Sequence, residues 1–332
     1  MKLLSLLYLG IFSLLINISC SKDKPVVGFM LPHTNIQRYI IERDEFNLKI
    51  KELGGEMIFR QANNDDQYQM KQLDSLLNMN IDILVLDPVN RFTAAEMVRK
   101  AHRKGIKVIS YDRLISNIDV DAFLSFDPWL VGKLITDAAI KAKPEGRYVI
   151  LGGDKSDLNA IGIDESMTKT LEPHIRSGKI QVDYKVFIEK WASEDAYLEV
   201  KQYLNLSGNV PDVILATSDM LARGAIEALK EENLQGKVLV TGQGGELFAC
   251  KNIVTGSQLM TVYKPVKKLA DLSAELAVKM LNNEKVDNIL NTKLNNGHSD
   301  IPTQLLVSIP VDANNLKSTI VADGMIKESD LQ

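Results

Sequence analysis

The sequence predicts an α/β protein made of two doubly wound parallel-sheet lobes joined by a hinge that the chain crosses more than once. Three observations carry this expectation. Short, nearly continuous apolar runs recur along the chain, the pattern of strands covered on both faces. Segments with apolar residues at helical spacing lie between them. The alternation then restarts after a divider in mid-chain, so the βα rhythm occurs twice.

In order, the first rhythm reads "VVGFML" (26–31), "EMIFRQA" (56–62), "ILVLDP" (83–88) and "KVISYD" (107–112) as strands. Residues 66–79 place Met70, Leu73, Leu76 and Leu77 on one helical stripe, and residues 92–104 do the same with Ala94, Met97, Val98 and Ala101. The divider is "FLSFDPWLVG" (123–132), where an extended run meets Pro128 and then a helix. The second rhythm reads "RYVILGG" (147–153), "QVDYKVF" (181–187), "DVILATS" (212–218) and "KVLVTG" (237–242), with helical patterns such as 195–205 and 221–232 between. After "LMTVYKPV" (259–266) a long helical pattern runs to about Asn282, and no further clear βα unit follows. A last extended run, "TQLLVSIPVD" (303–312), suggests another passage between the lobes.

Composition excludes several functions. With 332 residues, 45% hydrophobic and 25% charged, the chain can bury one large core or two medium ones. A net charge of −4 and no long Lys/Arg run leave no basic face for nucleic acid. No GxxxxGK[ST] or GxSxG motif is present, and "LGGDK" (151–155) is too short to cradle a phosphate, so neither nucleotide nor any other cofactor is expected. His33, His102, His174 and His298 lack metal-ligand spacing, and no metal is expected.

The first twenty residues, "MKLLSLLYLGIFSLLINISC", place Lys2 ahead of a Leu/Ile-rich run too short for an ordinary membrane span and read as an export signal. The run ends at Cys20 and resembles the lipobox at which bacterial lipoproteins are cleaved and acylated, with Asn17 standing where that pattern usually has Leu. "SKDKP" (21–25) reads as a polar tether. A lipidated Cys20 leaves Cys250 alone, so no disulfide framework is expected and stability rests on the core.

In open α/β sheets, ligands lie beyond the carboxyl ends of the strands, so polar residues there are the candidates. They are Asp87 and Asn90 in "LDPVNR", Asp112 and Arg113 in "SYDR", Asp127 in "SFD", Asp219 in "ATSD", Gln243 in "TGQ" and Lys264 in "VYK". An Asp after a strand is also an ordinary helix cap, and for Asp219 capping and ligand contact stay equally open. For the Asp112–Arg113 pair, a simple ion pair locking the loop is the alternative. Otherwise an Asp that accepts from vicinal hydroxyls beside an Arg fork that donates matches a neutral, polyhydroxylated molecule, which describes a sugar. Tyr39, Trp129 and Trp191 are candidates to lie against the C–H face of its ring.

At these residues the chain closely resembles the periplasmic D-xylose-binding proteins of bacterial ABC importers, within the ribose/galactose-binding (type I) periplasmic binding protein fold. The resemblance runs from about Lys24 to Leu331 and is most specific at "SYDRLI", "LSFD", "GKVLVTGQ", "LMTVYKPV", "LNNG" (294–297) and "IVADGMIKESDL". It implies a first lobe over 26–126 and 263–303 and a second over 127–262 and 304–331. Arg38 and Tyr39 match the family's Arg–Trp ligand pair, with Tyr in place of Trp. Asn90, Asp112, Arg113 and Asp127 match positions of the first lobe and hinge, and Asn159, Trp191, Asp219 and Lys264 match the second lobe and the return crossing. Two departures are visible: "SFDP" replaces the family's "SFDN", and "GQGGE" replaces "GQD", so that Gly244 lacks a carboxylate and Glu246 is a candidate for the same space.

The resemblance implies capture without catalysis: a monomeric, membrane-anchored periplasmic lipoprotein closes on a monosaccharide, D-xylose or a related aldose, and presents it to an ABC permease. A sensor that docks onto a chemoreceptor or histidine kinase is the alternative. A sugar-responsive repressor would carry an N-terminal helix-turn-helix in place of the export signal. A glycosidase would need an apolar pocket to raise one carboxyl's pKa, and none is evident.

Overall fold

The computed structural model describes residues 24–331. The export signal, Cys20 and the first three tether residues lie outside the described residues. The chain begins with β1 (Val26–Leu31), α1 (Gln37–Glu52), β2 (Glu56–Gln61), α2 (Asp66–Leu76), β3 (Ile83–Leu86), α3 (Ala94–Arg103), β4 (Lys107–Tyr111) and β5 (Ala122–Phe126). It continues with α4 (Pro128–Ala142), β6 (Gly146–Gly152), α5 (Leu158–Arg176), β7 (Ile180–Phe187), α6 (Ser193–Ser207), β8 (Val213–Ala216), α7 (Asp219–Glu231), β9 (Leu239–Val240), α8 (Leu247–Thr255) and β10 (Thr261–Tyr263). The last elements are α9 (Val266–Leu281), β11 (Thr292–Asn295), β12 (Asp300–Leu306) and β13 (Ile309–Val311).

The first sheet has the order β11-β12-β5-β4-β3-β1-β2 and is parallel except where β11 meets β12. Its strands alternate between two cores, because successive side chains point to opposite faces. Val27, Phe29 and Leu31 join Phe46 of α1 and Ala270 and Leu276 of α9 on one face. Met30, Leu84 and Leu86 join Leu73 of α2 and Met97 of α3 on the other. Covering both faces is what makes these strands continuously apolar. Phe29 stacks on Phe46 with ring centroids 4.3 Å apart and meets Tyr111 edge-on at 5.3 Å.

The second sheet, β7-β6-β8-β9, repeats the device. Val149, Leu151 and Ile214 pack under α6 and α7, while Tyr148, Ile150 and Leu215 pack under α4 and α5. A parallel bridge between Gln243 and Val262 continues this sheet toward the antiparallel pair β10–β13.

The run read as one extended segment over 303–312 is two strands. Leu306 of β12 pairs with Phe126 of β5 in the first sheet, whereas Ile309 of β13 pairs with Tyr263 of β10. The chain thus passes from one sheet system to the other after Phe126, after Tyr263 and after Leu306. The 303/304 boundary expected between lobes falls inside β12. Strand β11 had no clear signal: its residues "TKLN" are mostly exposed and carry no apolar run.

Two helix pairs in the second lobe approach closely enough to exclude a side chain. A Cβ at Gly132 of α4 would lie 2.4 Å from the Ile163 carbonyl oxygen of α5, and one at Gly224 of α7 would lie 2.0 Å from the Ser193 carbonyl oxygen of α6. Gly224→Ala should therefore push α6 and α7 apart and destabilise the protein by about 1–3 kcal/mol, read as a lower midpoint in urea unfolding. An unchanged midpoint would show that the contact is not tight.

Candidate ligand-binding cleft

A cavity of about 290 Å³ lies between the two sheets, beyond the carboxyl ends of their strands. Its size is near the lower end for small-ligand sites. The Asp112–Arg113 pair after β4 supplies part of its floor, and the two charges do not pair with each other. Asp112 adopts the left-handed backbone conformation (φ 56°), which Asp tolerates better than most residues. Its N–H donates to the Leu124 carbonyl at 2.8 Å, and its own carbonyl accepts from Ser125 Oγ at 2.6 Å. This turn sends the two side chains opposite ways. Asp112 Oδ2 accepts from Arg38 Nη2 at 3.1 Å, and the same guanidinium nitrogen donates to Glu42 Oε1 at 2.7 Å. Arg113 instead donates to the Pro88 carbonyl at 3.1 Å and lies 3.1 Å from Asp157 Oδ2.

Asp157 belongs to the second lobe, where it caps α5 by accepting from the Asn159 N–H at 2.9 Å. Asn159 Nδ2 donates back to the Asp112 carbonyl at 2.8 Å. An ion pair and a hydrogen bond therefore cross the cleft side by side.

Burial and charge oppose each other throughout this floor. Burial works against the Arg38 cation, but Asp112 and Glu42 outweigh it and raise its pKa. Burial likewise works against the Asp112 carboxylate, but Arg38, Lys264 and Arg113 outweigh it and lower its pKa. Glu42 and Asp87 lie deeper: burial pushes Glu42 up to about 7 and raises Asp87 well above the usual carboxylate range. Burial, then Arg113 and Arg38, lower His33 to about 4, so this cavity residue is neutral near pH 7. Lys264 is lowered by burial, against the pull of Asp112.

Tyr39 follows Arg38 in the first turn of α1. Its ring lies edge-on to His33 at 4.9 Å and under the Arg38 guanidinium at 4.9 Å. Trp191 forms part of the second lobe's wall. Lys190 and Trp191 both adopt positive φ (53° and 56°), and the Lys190 N–H donates to Asp154 Oδ2 at 2.7 Å. The indole rests against Gly153, where a Cβ would lie 2.1 Å from the ring.

Nine of the eleven expected ligand residues line this cavity: Arg38, Tyr39, Asp112 and Arg113 from the first lobe, Asn159, Trp191, Asp219 and Gln243 from the second, and Lys264 at the return crossing. Asp219 lines the wall with its carboxylate already engaged. Oδ2 accepts from the N–H groups of Gly245 and Glu246 at 2.7 and 3.1 Å, and Oδ1 accepts from Gln258 Nε2 at 3.0 Å and Thr261 Oγ1 at 2.9 Å. It fastens the loop before α8 to the start of α7.

Two expected residues stand elsewhere. Asp127 is the N-cap of α4: its Oδ1 accepts from the Trp129 and Leu130 N–H groups at 2.9 and 3.2 Å, and it is absent from the cavity wall. Asn90 likewise accepts from the Phe92 N–H at 2.9 Å and lines an adjoining cavity of about 210 Å³, which also borders Arg113 and Asp157. Trp129, a candidate stacking ring, is 43% exposed and outside the cavity. The wall also contains residues that sequence reasoning passed over, among them His33, Asn64, Asp157 and Ser218. Asp157 and Ser218 carried a legible signal, since both precede a helix after a strand end, and both do cap the helix that follows.

Residues 27–285 match the periplasmic binding protein domain family. The chain is 40% identical over 310 residues to the D-xylose-binding periplasmic protein of Haemophilus influenzae, covering 93% of this chain and 92% of that one. It is 36% identical over 318 residues to the Escherichia coli protein of the same name, covering 96% of each. Among solved structures, an ABC transporter solute-binding protein from Clostridium phytofermentans with bound β-D-glucose superposes with a TM-score of 0.86 at 26% identity, covering 92% of this chain and 100% of that one. With a cleft built from two wound sheets and a match spanning most of the sequence, the chain belongs to the periplasmic binding protein family.

Proposed function

We propose that this protein captures a single aldose, D-xylose before others, outside the cytoplasm and presents it to an ABC permease. The observation that carries this reading is the cavity itself: a small space between two lobes, walled by guanidinium, carboxylate and amide groups from both sides and by the Trp191 indole. Such a wall recognises a neutral molecule through its hydroxyls and an apolar ring face, and one sugar ring is the matching guest. The names of the two relatives favour D-xylose within that class.

Arg113, Asp112 and Arg38 are proposed to hold the sugar from the first lobe, with Asn159, Trp191 and Lys264 completing the grip on closure. The protein captures and does not catalyse. Closure about the three crossings brings the two halves of the wall together, and a permease that recognises the closed form receives the ligand. Cys20 is proposed to carry the lipid that tethers the fold to a membrane. No described helix is long and apolar enough to cross one.

Calorimetric titration of Arg113→Ala with D-xylose should show a loss of about 2 kcal/mol or more, because the variant leaves buried polar partners unpaired. Unchanged affinity in a folded variant would return Arg113 to a purely structural role. A thermal-shift screen against xylose, ribose, arabinose, glucose and galactose should give its largest shift with xylose, and no shift with any of them would remove the sugar reading. Cys20→Ser should move the protein from the membrane fraction to the soluble one; solubility of both forms would refute the anchor.

A further inference from the structure

Glu246 ends the loop between β9 and α8, and its side chain reaches the cavity wall while only 7% of the residue is exposed. The loop is fixed, since Asp219 Oδ2 accepts from the N–H groups of both Gly245 and Glu246. Glu246 holds the N-cap position of α8 yet makes no side-chain cap to it, so its carboxyl is not spent on its own helix. Gly244 beside it has no side chain and leaves this part of the wall to Glu246.

We propose that the Glu246 carboxylate accepts hydrogen bonds from hydroxyls of the bound ligand, which makes it an affinity-determining contact supplied by the second lobe. This rests on the sugar-binding reading above and adds to it a residue and a pH dependence.

The charged and titratable groups that face Glu246 are Asp219 on α7, Arg38 on α1 of the opposite lobe and Cys250 on α8, together with the Gln37 backbone N–H. Burial and then Asp219 push the Glu246 carboxyl up to about 7, while Arg38 and the Gln37 N–H pull the other way. The group therefore exchanges its proton in the neutral range in the ligand-free structure. Hydroxyls that donate to the carboxylate favour its charged form, so binding releases a proton there. The sign follows: affinity is fully present above pH 7 and falls as the pH drops through it, to about tenfold weaker at pH 6 than at pH 8. Glu42, also near 7, is the other group able to produce such a slope, and a variant separates the two.

The test is calorimetric titration of the wild-type protein and Glu246→Gln with D-xylose at pH 6, 7 and 8, with wild-type proton release measured at pH 7 in two buffers of different ionisation heat. Expected is a wild-type affinity that rises about tenfold across the range, release of a fraction of a proton, and a variant that stays at the weaker level with a flat profile. A flat wild-type profile, tighter binding at pH 6, or the same slope in Glu246→Gln would overturn the proposal. A flat wild-type profile decides this without the variant; if Glu246→Gln does not fold, persistence of the slope in Glu42→Gln supports the proposal and its loss there overturns it. Absence of D-xylose binding by the wild type at every pH would remove D-xylose as the ligand, and the proposal as stated for it, whereas the sugar-binding reading falls only with the wider screen above.

Discussion

The cleft depends on keeping two guanidinium groups charged while almost no water reaches them. Arg38 and Arg113 each lie among acids that outnumber them, with Glu42 and Asp112 around the first and Asp87 and Asp157 around the second. Removing isolated charges from water is expensive, and attraction offsets the cost only where geometry is close. The floor divides the work. Asp112 is held as a carboxylate by Arg38, whereas Asp87 and Glu42, deeper and less fully bonded, are pushed toward the protonated form. Arg38 Nε, Asp112 Oδ1 and both Asp87 oxygens are buried without a hydrogen-bond partner, so the arrangement is kept at a local loss in stability.

That loss is tolerable because strands hold the floor in place. Asp112 follows β4, whose Ile109 and Tyr111 are locked into the core beside Phe29 and Phe46. Its left-handed turn is bonded on both sides, by Leu124 before the side chain and by Ser125 and Asn159 after it. The last of these comes from the other lobe. The residue that orients Arg38 is thereby also held from the second lobe, which couples the first lobe's electrostatics to the position of the second.

How legible this was depends on which signal each residue emits. The strands of both sheets were legible because covering two faces forces continuous apolar runs, and Asp112 and Arg113 because charge at the end of such a run is costly unless used; Arg38, in the first turn of α1, was expected only from the family resemblance. Asp127 and Asp219 emit the same signal for another reason: one caps α4 and the other ties a loop to α7, and a single sequence does not distinguish a carboxylate that serves its own backbone from one facing a cavity. The converse error hid Asp157, which caps α5 with one oxygen and meets Arg113 with the other. The split of 303–312 was illegible because both halves are extended, and only pairing partners 180 residues upstream and 46 upstream separate them: Thr303 with Phe123, and Ile309 with Tyr263.

The two departures from the expected family pattern follow from backbone geometry. Pro128 occupies the first turn of α4, where an N–H has no helical partner to lose, and Asp127 caps the N–H groups beyond it. Gly244 has φ 142°, a conformation that side chains rarely adopt, and a Cβ there would approach Asp219 Oδ2 to 3.2 Å. A carboxylate at 244 in this loop would thus meet both backbone strain and the charge of Asp219. With Gly245 also at positive φ (80°), the turn carries the chain to Glu246 before a side chain can again face the cavity. Glu246 thus borders the cavity two residues after Gly244, in a loop that Asp219 grips by its N–H groups, while the first lobe's floor stays as its strands built it.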